Sequence, residues 1–169
     1  MCGITGIYST RGAVSPGLIS AMTDAIMHRG PDDGGFFCDG PMAIGNRRLA
    51  IIDLSPGGHQ PMAFSEGEMW MVYNGEVYNF IELRTELEAK GYEFSTKSDT
   101  EVVLKAFHAW GTDAFTRLRG MYAIAIWDRR IQTLTLARDP FGIKPLYIAE
   151  CGADIVFGSE LKSLRLHPE

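Results

Sequence analysis

The residues best suited to chemistry open the chain, Met1-Cys2-Gly3-Ile4-Thr5-Gly6-Ile7-Tyr8. A cysteine directly behind Met1 becomes the terminal residue once Met1 is trimmed, and it then carries a thiol and a free α-amine together. An α-amine ionises at roughly 7.7–8.0 and is partly neutral near pH 7, so one residue can hold both a nucleophile and its base. Gly3 adds no side chain beside the sulfur, and Ile4–Tyr8 reads as a supporting strand. The competing reading is a buried free cysteine that packs as a small hydrophobe.

Four other positions could serve such a nucleophile. At Asn74-Gly75, a side-chain amide and a backbone N–H could both donate to a developing oxyanion, and only glycine lets the backbone approach closely. Such a donor is worth about 10²–10³ in rate. The same dipeptide is a preferred hairpin turn, so Met69–Tyr78 is expected to be a hairpin centred on it. In Arg47-Arg48, neighbouring strand residues point to opposite faces, so either both are a solvated pair or one meets a cleft, where it would grip a carboxylate through two parallel bonds. Asp99 either complements the dipole of a helix's first turn or faces a substrate ammonium. Glu76, directly after the glycine, either assists there or stands exposed. His28 and His59 lie in turns rich in glycine and proline, and a nucleophile with its own amine needs neither as a base. Gly57-Gly58 lacks the Lys-Ser/Thr ending of a phosphate loop, which disfavours nucleotide binding.

The elements that must position these residues follow from periodicity and punctuation. Helices are expected from Ser15-Pro16 through Met27, from an Asn79 cap to Lys90, and over Val102–Trp110 behind a Ser98…Glu101 capping box. Strands are expected at Phe36–Cys38, Met42–Leu49, Met121–Trp127, Thr133–Arg138, Leu146–Ala149 and Ile155–Gly158, with a short closing helix at Ser159–Leu166. Ile52–Met62 reads as a surface loop. Strands early and late, with helices between them in adjacent pairs, argue for an α+β fold with antiparallel sheet. The apolar runs Met121–Trp127 and Thr133–Arg138 predict strands covered on both faces, as in two packed sheets with helices outside. Tyr122, Trp127 and Phe141 are expected in the core.

Composition sets the outer bounds. A length of 169 residues fits one domain with a sizeable core. A net charge of −5 without a Lys/Arg cluster argues against a nucleic-acid partner. Cysteines at 2, 38 and 151 have neither disulfide-framework nor zinc-ligand spacing, which fits a reducing, cytoplasmic setting. The start is no signal peptide, and the longest apolar run, Met121–Trp127, is too short to cross a bilayer, so no membrane partner is expected.

Read together, the motifs carry a resemblance. Met-Cys-Gly-Ile at 1–4, His-Arg-Gly-Pro-Asp at 28–32, Arg-Leu-Ala-Ile-Ile-Asp-Leu-Ser at 48–55 and Gly-His-Gln-Pro-Met at 58–62 occur in order. Asn-Gly-Glu-Val-Tyr-Asn at 74–79, Ser-Asp-Thr-Glu-Val-Val-Leu at 98–104, Gly-Met-Tyr-Ala-Ile-Ala-Ile-Trp-Asp at 120–128 and Arg-Asp-Pro-Phe-Gly-Ile-Lys-Pro-Leu-Tyr at 138–147 complete the set. The chain resembles the glutaminase domain of class II glutamine amidotransferases, most closely the asparagine synthetase branch. The resemblance implies a four-layer αββα sandwich of two mainly antiparallel sheets, of the N-terminal-nucleophile hydrolase type. It further implies Cys2 as nucleophile, Arg48 on the α-carboxylate of L-glutamine, Asp99 on its α-ammonium, and Asn74 with Gly75 as oxyanion hole. Glu76 would sit near the substrate's amino end, Ile51 and Ile52 would line the pocket with backbone, and Arg29 would brace the nucleophile's turn.

The family's synthetase domain, with its Ser-Gly-Gly-x-Asp-Ser loop, has no counterpart within residues 1–169, so a single glutaminase domain is expected. Its partner would be an ATP-dependent synthetase domain or a separate synthetase chain. No cofactor is expected here, and ATP and Mg belong to that other domain. A homodimer and a non-catalytic regulatory or docking role on the same fold remain open at this level.

Overall fold

The computed structural model describes residues 1–169 as two antiparallel sheets between two helical layers. The first sheet has the order β2-β3-β1-β9-β8, with β1 at Gly3–Ser9, β2 at Asp33–Asp39, β3 at Met42–Arg48, β8 at Tyr147–Cys151 and β9 at Asp154–Gly158. The second has the order β4-β5-β6-β7, with β4 at Met62–Phe64, β5 at Met69–Val77, β6 at Gly120–Asp128 and β7 at Thr133–Arg138. The helices are α1 (Pro16–Asp24), α2 (Phe80–Glu88), α3 (Asp99–Trp110), α4 (Ala114–Arg117) and α5 (Leu161–Leu164). None is long and apolar enough to cross a membrane.

Period-two alternation divides the apolar residues into three cores. Ile4, Met42, Ile44, Val72, Ala123, Ala125, Trp127 and Phe157 fill the space between the sheets. Ile7, Val14, Ile19, Met22, Ala43, Val156 and Leu164 join the first sheet to α1 and α5. Met71, Tyr73, Val77, Tyr122, Ile124 and Ile126 join the second sheet to α2 and α3 through Leu83, Leu87, Val102, Val103 and Ala106. Three cores require four layers, so the expected sandwich is what forms. At Gly45 a methyl group would run into Thr23 of α1, which lets that helix lie close on the sheet.

Several local expectations are corrected. Asn74-Gly75 is not a turn: β5 runs through it, pairing Asn74 with Ala123 and Gly75 with Tyr122 on β6. Gly75 has no positive φ, which a type I′ turn would need there, and the long-range ladder overrides the local signal. The first helix ends at Asp24, with a separate 3₁₀ turn at Met27–Arg29. β7 is an edge strand, half-buried in its middle and exposed at both ends, instead of covered on both faces. Phe141 is 89% exposed, whereas Tyr122 and Trp127 are buried as expected. Asn79 precedes α2 without capping it, since its side chain bonds the Arg117 carbonyl and the Arg119 N–H.

The capping box forms only in half. Ser98 accepts from Thr100 N–H at 3.1 Å, but the Ser98 N–H is already taken by Thr96 Oγ1. Glu101 turns instead to Ser95 N–H at 3.0 Å, Thr96 N–H at 2.7 Å and the buried Lys105 ammonium at 2.6 Å. Burial alone would raise its pKa. The Lys105 bond and the Ser95 and Thr96 donors outweigh that and hold it at about 2. Glu101 thereby staples the strap that leads into the first residue of α3. Glu101→Gln, which leaves Lys105 buried and unpaired, should cost about 3 kcal/mol in urea denaturation at pH 7. A depressed carboxylate stabilises above its unfolded value and loses that as pH falls, so the gap between the two proteins should close from pH about 4.5 towards about 2. A gap that is absent at pH 7, or that persists at pH 2, contradicts this account.

Candidate active site

At one end of the sandwich a cavity of about 390 Å³ opens between the sheets. Its lining includes Cys2, Arg48, Ile51, Ile52, Asn74, Gly75, Glu76 and Asp99, so eight of the nine site residues expected from sequence converge there. Arg29 is the ninth and stands behind Cys2, outside the cavity. His28 and His59 are absent from the lining; they pair with Glu160 and Asp33 on the surface.

Strand parity brings the groups together. Cys2 shares the inward parity of Ile4, Arg48 that of Ile44, and Asn74 that of Val72. The Cys2 thiol sits against the segment after β3, with Leu49 N–H donating to Sγ at 3.3 Å and Sγ lying 3.6 Å from the Leu49 carbonyl. Met1 still acylates the Cys2 nitrogen and is 59% exposed.

Asn74 is 1% exposed, and its side-chain nitrogen is buried with no hydrogen-bond partner. Buried donors are rarely left unpaired, and Asn74 is one of the residues that line the cavity with Cys2. Next to it, Gly75 leaves no room for a side chain: a methyl group would stand 2.5 Å from the Met121 carbonyl and 2.9 Å from Tyr122 Cα. Asn74 and Gly75 are therefore held by the β5–β6 ladder rather than by a flexible loop.

Arg47 and Arg48 do point to opposite faces. Arg47 lies over α1, bonded to Asp24 and the Thr23 carbonyl, so it is paired and not simply solvated. Arg48 is 8% exposed and is encircled by the following loop, donating to the Ser55 carbonyl at 3.1 Å and to the Asp53 carbonyl. Gly58 packs flat on the guanidinium. Asp53 closes this loop by accepting from Ser55 N–H at 2.8 Å and Lys97 N–H at 3.1 Å. The Ser55 bonds, with Lys97 and the Arg48 charge, hold the Asp53 pKa below the usual range. The segment expected as a surface loop is thus half interior, because Asp53, Gly58, Gln60 and Pro61 are buried.

Asp99 is the opposite case. It starts α3, is 4% exposed, and accepts from Tyr73 Oη at 2.7 Å and Val77 N–H at 3.0 Å. Burial nevertheless pushes its pKa up, with the Glu76 charge acting in the same direction. A buried carboxylate whose own hydrogen bonds do not offset its desolvation is short of a cation.

Tyr73, Gln60 and Lys144 are among the lining residues that sequence reasoning missed. Tyr73 holds Asp99, and its own pKa is raised well above the usual value by burial and that charge. Gln60 Oε1 accepts from Tyr73 N–H at 2.6 Å, which ties the loop around Arg48 to β5. Lys144 is 6% exposed, with its ammonium 3.6 Å from Met1 Sδ. Asp139 gathers four backbone N–H groups, from Tyr122, Phe141, Ile143 and Lys144, into the turn that delivers it, and none of these bonds is visible in the sequence.

Comparisons with known proteins bear on the family and the fold. The chain is 47% identical to asparagine synthetase [glutamine-hydrolyzing] 1 of Bacillus subtilis, over 97% of its own length and 26% of that protein. It is 39% identical to asparagine synthetase [glutamine-hydrolyzing] 3 of the same organism, over 100% of this chain and 28% of the relative. The chain therefore spans about a quarter of the length of the curated relatives it matches. Among solved structures, the glutamine phosphoribosylpyrophosphate amidotransferase of B. subtilis shares the fold with a TM-score of 0.82 at 24% identity, covering 98% of this chain and 43% of that one. The profile described as "Glutamine amidotransferase domain" matches residues 1–169, and with this whole-length match the chain belongs to the glutamine amidotransferase domain family.

Proposed function

We propose that this chain hydrolyses the side-chain amide of L-glutamine through a γ-glutamyl thioester on Cys2 and supplies the ammonia to an asparagine-synthetase-like, ATP-dependent domain or chain. The observation that carries the reading is one cavity lined by both Cys2 and Asn74, the latter with a buried, unpartnered side-chain nitrogen. With Met1 removed, Sγ attacks the amide carbon and the Cys2 α-amine takes the thiol proton. Asn74 Nδ2 and Gly75 N–H receive the oxyanion. The α-ammonium then protonates the amide nitrogen, the C–N bond breaks, and ammonia departs. Water adds to the thioester, the thiolate leaves and is reprotonated, and glutamate is released.

Recognition uses both charges of a free amino acid. The N–H groups of Arg48 not taken by the loop carbonyls would bind the α-carboxylate, and Asp99, with Glu76 nearby, would bind the α-ammonium. Backbone at Ile51 and Ile52 would form one wall. These steps use groups of this chain alone, and ATP and Mg would act in the partner domain. That partner is supported by the printed names and greater lengths of the relatives, and by the loops at the mouth, which expose Ile51, Leu54, Phe141 and Ile143. A docking-only role would leave the desolvated Asn74 amide a cost without a return.

Because the amine must be free, protein that retains Met1 should be inactive, and mass spectrometry showing intact Met1 on active material would contradict the mechanism. Asn74→Ala should lower kcat by about 10²–10³ with little change in KM; a kcat close to wild type removes it from the oxyanion hole. Asp99→Asn should raise the glutamine KM roughly 10- to 100-fold while sparing the analogue that lacks the α-amine. Since burial raises the Asp99 pKa, the wild-type KM should begin to climb, as pH falls, above the ordinary aspartate range. Equal losses on both substrates, or a KM flat with pH, would count against the ammonium role.

A further inference from the structure

Cys2 lies one residue outside the ladder, since β1 begins at Gly3, opposite Arg47. Its carbonyl is taken by Arg29 Nε, which donates at 2.9 Å. The stem of Arg29 crosses Gly3 so closely that a methyl group there would stand 3.0 Å from Arg29 Cδ. The far edge of the guanidinium, Nη1, donates to Glu160 Oε1 at 2.9 Å. Glu160 belongs to the junction between β9 and α5, and that junction is fastened to the nucleophile's own strand. Ser159 N–H donates to the Ile4 carbonyl at 2.8 Å, and Ile4 N–H donates to Ser159 Oγ at 3.0 Å.

The Glu160 carboxylate also meets His28 at 2.9 Å and Lys162 at 3.3 Å. Burial works to raise its pKa, but the bonds from Arg29, His28 and Lys162 prevail and hold it at about 2. It therefore presents a full charge to Arg29 throughout the neutral range. Arg29 itself is well buried and has one nitrogen, Nη2, with no partner, so Glu160 is the only carboxylate that fixes its plane.

We propose that Glu160 is a positioning residue for the nucleophile, acting through Arg29 on the Cys2 carbonyl. Once Met1 is gone, Cys2 is tethered on one side only, and its α-nitrogen and Sγ both swing from a single Cα. Leu49 restrains the sulfur, and the Glu160–Arg29 pair restrains the peptide plane from which that Cα hangs. Nucleophile and base share this residue, so one loosened plane misplaces both. The inference rests on the reading of Cys2 as nucleophile and its own base.

The test compares Glu160→Gln with Lys162→Met, which removes a neighbour of the carboxylate but leaves the Arg29 link intact. Both are made in the full chain with Met1 removed, and kcat, KM for glutamine and the rate of Cys2 alkylation by iodoacetamide are measured. Glu160→Gln should lower kcat roughly 10- to 100-fold, leave KM within about 2-fold, and change the alkylation rate, because small misplacements of reacting atoms cost this much. Lys162→Met should leave kcat unchanged. An unchanged kcat in folded Glu160→Gln overturns the inference, and so does an equal loss in Lys162→Met. Should Glu160→Gln fail to fold, Glu160→Asp decides by the same split: lower kcat at constant KM supports the inference, and wild-type kcat overturns it. Full wild-type turnover after complete Cys2 alkylation would instead sink the underlying nucleophile reading, which separates the two failures.

Discussion

Alternation across the pleat is the constraint on which this molecule depends. In β3, Met42 and Ile44 point between the sheets, and the same parity carries Asn46 and Arg48 inward at the strand's end. In β5, Val72 sets the parity that buries Asn74, and in β1 Ile4 sets it for Cys2. The inter-sheet core is thus apolar in its middle and polar at one end, and that end is the cavity. A register slip of one residue in any of these strands would turn its functional side chain to the opposite face. The apolar packing that stabilises the sandwich is also what turns these polar side chains into one cavity.

Rigidity around Cys2 follows from topology. β1 is hydrogen-bonded on both sides, to β3 and β9, so the strand behind Cys2 is central and not an edge. The oxyanion-hole candidates likewise sit inside the β5–β6 ladder. Loops complete the walls of the cavity, and carboxylates organise those loops. Asp53, Glu101 and Asp139 each collect backbone N–H groups and have lowered pKa values. Asp99 lines the same cavity as Asp53, yet its pKa is raised. That contrast separates carboxylates whose hydrogen bonds outweigh their desolvation from one whose bonds do not.

Much of this was legible in the sequence, and the exceptions share a cause. Thr133–Arg138 was bounded correctly as a strand, the two-sheet α+β architecture followed from apolar runs and helix placement, and the motif residues converge as the resemblance implied. The failures came where a local signal met a long-range competitor. Asn74-Gly75 has turn chemistry, but pairing with β6 keeps the chain straight. Glu101 stands at capping-box spacing, but Lys105 and the strap at Ser95 and Thr96 claim it. Phe141 is apolar yet projects from a turn held by Asp139. Tyr73 and Glu160 lie in no quoted motif, and Gln60 lies in Gly-His-Gln-Pro-Met, which does not announce its partner. Their importance lies in partners 26, 13 and 131 residues away, which no periodicity reports.

The central claim is that acyl transfer occurs on the terminal cysteine. Rapid acid quenching of the Met1-free chain during glutamine turnover, followed by mass spectrometry of its N-terminal peptide, tests this most directly. The account predicts a transient increment of one γ-glutamyl group on Cys2, which is lost on treatment with hydroxylamine. Sustained glutamate production with the label on another residue, or with none while hydrolysis of the acyl-enzyme limits turnover, would contradict it.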